Sequence, residues 1–149
     1  MYSWILIAHS SWRWVIVVAG LAVLGCAATR LRSGGPWDTG ATRLTRFFSI
    51  AVDIQVLMGA ALYLTLSPLT TVVLASTTTP LPAGSQAHFL AVLHPVIMLA
   101  AFIVVHIASV LVRRARSDAA RARRALIFYG ITWLIVVAGI PWWRPWVHI

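Results

Sequence analysis

Four long apolar runs constrain this chain more than any other feature. They lie at roughly residues 4–28, 46–66, 87–112 and 125–143. About 20 apolar residues carry a helix across the hydrocarbon core of a bilayer. A strand reading fails, because no period-two pattern persists and the runs exceed the length of a barrel strand. The pattern predicts an all-α integral membrane protein, a single up-down bundle of four transmembrane helices. The first run does not read as a cleaved signal peptide: it lacks a basic leading region, and Arg13 interrupts its apolar stretch.

Composition agrees. Of 149 residues, 60% are apolar and 10% charged, with a mean hydropathy of +0.88. A soluble domain is about one quarter charged, so a water-facing surface could not be covered. A disordered tail is excluded by the hydrophobicity. The net charge is +9, from twelve arginines, no lysine and three acids, Asp38, Asp53 and Asp118. Such a basic balance could suggest nucleic acid. The position of the arginines points instead to loops beside anionic lipid, and nucleic acid is not expected as a partner. Cys26 is the sole cysteine, so no internal disulfide can form, and it reads as a small apolar residue within a helix.

Ten of the twelve arginines fall in the first and third loops, around Arg30–Arg46 and Arg113–Arg124. The second loop, residues 67–86, carries no charge. The positive-inside rule therefore predicts loops one and three in the cytoplasm, with both termini and loop two outside. Trp4, Trp142, Trp143 and Trp146 then form an aromatic belt at the outer boundary.

Ionisable groups within such spans are costly and mark functional candidates. They are His9, Arg13, Asp53, His94 and His106, with Gln55 nearby. His88 and His148 fall near span ends, where a solvated histidine needs no special role. Depth follows from the 1.5 Å helical rise. His94 and His9 lie roughly 28 and 31 Å from the arginine ends, and so share the outer level. His106 and Asp53 lie roughly 10 and 15 Å in, at an inner level. Twelve residues separate His94 from His106, which turns them to different faces. His94 is expected to look across the bundle at helix one, and His106 at helix two. A bundle diagonal of roughly 12–14 Å leaves room for a metal between two imidazoles. Pro95 leaves two forms open: a helix starting at Pro95 with His94 as its cap after a turn at 87–93, or one helix kinked there. Arg13 shares a face with His9 and needs a partner, such as an anionic ligand group, the Ser10 hydroxyl or a backbone carbonyl, with Asp53 a strained choice. Gly20 reads as a close helix contact rather than room for a ring.

The segments His9-Ser-Ser-Trp-Arg13-Trp14, Asp53-Ile-Gln55-Val-Leu-Met-Gly59, His94-Pro95 with His106 twelve later, and Gly139-Ile-Pro141-Trp142 carry a resemblance. In order and spacing, over nearly the whole length, the chain resembles small four-helix bacterial membrane proteins named b-type cytochromes or cytochrome-b-like proteins. The resemblance implies haem b with His9 and His94 as axial ligands, electron transfer, and the bacterial inner membrane. It also implies a second pair at position 53 and His106, but position 53 is Asp where His is implied. A carboxylate is a poor partner for low-spin haem iron. One haem is therefore expected at the outer level, and a second only if the inner level still ligates. No Cys-x-x-Cys-His occurs, which excludes covalent haem attachment.

Three functions follow in order. The first is a membrane electron carrier with haem b held by His9 and His94, near Arg13 and His106. The second is a structural or accessory subunit of a larger respiratory or photosynthetic complex, with no cofactor or with a (bacterio)chlorophyll on one histidine. The third is a proton or quinone site built from Asp53, His106 and Gln55. The bilayer and other membrane subunits are the expected partners.

Overall fold

The structure is a computed structural model that describes residues 2–66 and 82–144. Trp146, His148 and most of the second loop lie outside the described residues. Among those described, the chain is helical and contains no strand. Helix α1 is Tyr2–Ser33, and α2 is Thr39–Ala61 with a π-helical turn Leu62–Leu66 after it. A short α3, Gln86–His88, leads through a second π-helical turn, Phe89–Leu93, into α4, His94–Arg113. Helix α5 is Asp118–Gly139. Among the described residues, four segments are long and apolar enough to cross a membrane: Tyr2–Ser33, Thr39–Leu64, Gln86–Arg113 and Asp118–Gly139.

Capping residues, not the ends of the apolar runs, set the helix limits. Helix α1 runs past Arg30 and Arg32 to Ser33 and stops before Gly34, whose φ of +65° is a left-handed conformation suited to glycine. Asp38 caps α2 by accepting from Ala41 N–H at 2.8 Å, and Ser117 caps α5 by accepting from Ala120 N–H at 3.2 Å. Both helices thus begin earlier than their apolar runs. Helix α5 ends at Gly139 rather than near residue 143, because Pro141 offers no N–H to continue it. Arg124 reaches back to the carbonyl of Leu111 at 2.8 Å, satisfying one orphan acceptor at the end of α4.

Helix α1 packs between α2 and α5, and α4 packs between the same two on the opposite side. The four therefore form a ring in which α1 and α4 face each other across the centre, as an up-down bundle requires. The α2–α4 seam is the loosest. Small residues let the backbones approach: Ala27, Ala101, Ala108 and Ala125 are fully buried. Gly20 packs under the Trp133 indole, which itself donates to the Val17 carbonyl at 3.0 Å. In the arginine-side half, Tyr129, Ser109 and Ser49 hydroxyls link α5, α4 and α2 through two 3.1 Å contacts. Such interhelical bonds contribute on the order of 0.6–2 kcal/mol each in membranes.

Candidate cofactor site

Pro95 shapes the far half of α4. It lacks the N–H that would bond the Ala91 carbonyl, and its ring crowds that turn. The helix does not end there. It admits one extra residue as the π-helical turn Phe89–Leu93, and His94 N–H bonds the Phe89 carbonyl five residues back. His94 itself is helical, with φ −59° and ψ −49°. It is therefore no cap, and residues 89–93 are a distorted continuation of the helix rather than a separate turn. Tyr63, from the π turn after α2, donates its hydroxyl to the Ala91 carbonyl at 2.8 Å. The acceptor that the proline frees is thereby satisfied.

This register aims His94 inward. Its Nδ1 lies 2.8 Å from the Gly139 carbonyl, an acceptor left over at the end of α5. With Nδ1–H donating there, Nε2 keeps its lone pair, as in histidines whose orientation a second carbonyl partner fixes for metal binding. The α4–α5 approach that permits this bond depends on Gly139, where a Cβ would overlap Met98 and Ile97. His9 comes from α1 on the opposite side. The His9 and His94 ring centres are 6.2 Å apart, with planes at 81°. Gln55 on α2 donates its amide to the His9 carbonyl at 3.0 Å, and the same nitrogen lies 3.3 Å from His9 Nε2. Gly59, one turn on, leaves space against the imidazole edge, since a Cβ there would sit 3.1 Å from His9 Cε1.

These groups surround a cavity of about 370 Å³. Its wall is mainly apolar, and its polar members are His9, His94, Ser10, Arg13, Gln55, Tyr2, Tyr63 and Arg144. Among the described residues, no carboxylate lines it. Arg13 is 7% exposed, with its guanidinium 5.6 Å from the Trp14 ring centre, within the range of a cation–π contact. His9 Nδ1 and Gln55 Oε1 are buried without a hydrogen-bond partner. Buried polar atoms are rarely left so, and two beside one cavity imply a polar ligand or water there.

The inner level is arranged differently from expectation. Asp53 and His106 do meet, with His106 Nε2 3.1 Å from Asp53 Oδ1. Their side chains, however, remain 32% and 48% exposed on the outer wall of the α2–α4 seam, not inside the bundle. Neither lines the cavity. Gln55 belongs with His9 and not with this pair. Two residues turn a helix by about 200°, so Asp53 and Gln55 cannot share a face. Arg13 likewise meets the cavity while Asp53 is taken by His106.

Arg144 is the cavity residue that motif reasoning overlooks. A signal for it exists in the charge pattern: Arg13 and Arg144 are the two arginines outside the first and third loops, and both line the cavity. Tyr63 and the Gly139 carbonyl carry no comparable signal. Comparison with protein-family models, curated proteins and solved structures finds no match.

Proposed function

We propose that this chain is a membrane electron-transfer protein in which His9 on α1 and His94 on α4 would hold one haem b. The observation that carries it is the pair of imidazoles facing one cavity from opposite sides. With imidazole nitrogens about 2 Å from a metal, two rings sharing it stand roughly 6–6.5 Å apart at their centres. The observed 6.2 Å suits that arrangement. The cavity lies within the ~300–1,000 Å³ usual for ligand pockets, and its apolar wall suits a macrocycle. Arg13 and Arg144, with no acid between them, suit the carboxylates that such a group bears.

Haem iron would supply a one-electron couple whose potential follows from axial ligands, hydrogen bonding and burial. The chain's own groups do the rest. The Gly139 carbonyl orients His94 and makes it a stronger donor. Gln55 holds the His9 turn of α1 against α2. The two arginines offset negative charge at the cavity, and fixed positive charge there would favour the reduced state of a bound redox group. Asp53 and His106 satisfy each other, so the inner level is assigned no iron.

In this proposal the chain is a multi-pass protein of a bacterial inner membrane. The arginine-rich loops face the cytoplasm, and the cavity opens towards the opposite half of the bilayer. The test is a reduced-minus-oxidised visible spectrum of the purified protein, with the haem-to-protein ratio. One haem per chain is expected, lost in His9→Ala and in His94→Ala and retained in His106→Ala. A colourless protein that takes up no added haem overturns the proposal. Reporter fusions at Ser117 and Ile149 check the orientation; the same side for both would refute it.

A further inference from the structure

The Asp53–His106 pair has no role at the cavity, and its location is unusual. Counted from the arginine ends of α2 and α4, it lies roughly 10–15 Å into the span, at hydrocarbon depth. Ionisable side chains at that depth almost always face protein or water-filled space. Here His106 is 48% and Asp53 32% exposed, and exposed apolar residues share their helix faces: Ile50 and Leu57 on α2, and Ile103 on α4. The pair is the polar spot on a face otherwise suited to lipid.

The geometry points to a second copy of this chain seated on that face, with the two pairs meeting across a two-fold axis. The argument is charge complementarity. His106 Nε2 and Asp53 Oδ1 are used within one copy, which leaves His106 Nδ1 and Asp53 Oδ2. Net charge is costly at hydrocarbon depth, which favours the pair in a neutral form, either carboxylate with imidazolium or carboxylic acid with neutral imidazole. In the first, Nδ1–H is a spare donor and Oδ2 a spare acceptor. In the second, Oδ2–H is the donor and Nδ1 the acceptor. Either way one donor and one acceptor remain, so two identical pairs close a ring of four hydrogen bonds. An interface of this kind is isologous, in which each patch meets its own copy. An axis along the membrane normal keeps both copies in the same orientation. Lipid tails offer neither donor nor acceptor, so an uncovered pair would leave His106 Nδ1 and Asp53 Oδ2 unsatisfied in hydrocarbon. The looseness of the α2–α4 seam fits a face that a neighbour completes.

The inference rests on the helices crossing the bilayer and not on the haem. Its test uses the full-length protein in liposomes at high dilution, with a fluorophore on each chain for counting photobleaching steps. Two steps are expected for the wild type and one for Asp53→Ala. Two steps return when Asp53→His is combined with His106→Asp, which restores the pair with its members exchanged. Independently of those variants, a Cys26→Ala background carrying Leu57→Cys or Ile103→Cys is expected to form covalent dimers on oxidation, whereas Ile131→Cys on the far face of α5 is not. Single steps for the wild type, an undiminished dimer in Asp53→Ala, or equal cross-linking at Ile131→Cys would each overturn it. The absorbance of the same sample separates the two proposals: a colourless dimer removes the haem and leaves the interface, and a haem-loaded monomer does the reverse.

Discussion

Replacing Gly139 with alanine tests how the packing of α5 on α4 supports the site. The added Cβ would overlap the Met98 terminal methyl and lie 2.7 Å from Ile97 Cγ2. The methionine end can swing away at little cost. Ile97 cannot, because a β-branched side chain in a helix has one strongly preferred rotamer. The end of α5 must therefore move outward by several tenths of an ångström. Overpacking of this size costs about 1–3 kcal/mol. The 2.8 Å bond from His94 to the Gly139 carbonyl lengthens with it, adding roughly 0.5–1.5 kcal/mol. Against this stands the helix propensity of alanine over glycine, at most about 1 kcal/mol and smaller at a helix end. The net expectation is destabilisation of about 1–3 kcal/mol. The assay is thermal unfolding in detergent micelles, read, under the proposal of a haem held by His94, with the haem content and visible band of the same samples. Gly25→Ala is the control, since a Cβ there meets nothing within 4 Å, and it should be neutral or slightly stabilising. Gly139→Ala melting with the wild type and keeping its spectrum would show that the α4–α5 approach does not set the His94 position.

Two further outcomes follow from the same geometry. Tyr63→Phe strips the Ala91 carbonyl of the donor that replaces the missing proline N–H, and should lower stability by about 1–3 kcal/mol in the same thermal assay. An unchanged melting temperature would mean that this carbonyl finds another donor. The second outcome concerns pH. The Arg30 guanidinium, 2.6 Å away, and then the Ala41 N–H hold the Asp38 carboxyl below its ordinary range. A lowered folded-state value makes this group stabilising above its unfolded pKa of about 3.9, and that contribution is lost as pH falls through the folded value. Melting temperature against pH should therefore fall less steeply below about pH 4 in Asp38→Asn than in the wild type. Identical slopes would refute the coupling.

The charge pattern, the apolar runs and the proline are local properties, and they determined much of this protein. Four helices of spanning length, the two arginine-rich turns, and the shared depth of His9 and His94 all follow from counting residues along a 1.5 Å rise. Depth is legible because a helix converts sequence distance into height. Rotation and seam are not, because they depend on which neighbour each face meets. The sequence matches Asp53 and His106 in height, yet whether that height lies inside the bundle or on its wall depends on how α2 turns. Burying Gln55 against His9 committed the opposite face, and Asp53 with it, to the outside. The cap on α4 was likewise open until the Tyr63 hydroxyl, 28 residues away in sequence, satisfied the Ala91 carbonyl and let the helix run through Pro95. Arg144 entered the cavity only through tertiary structure, which places it in the lining with Ile140 and Pro141. The local chemistry set which groups lie at each level, and the packing of faces decided which of them look at each other.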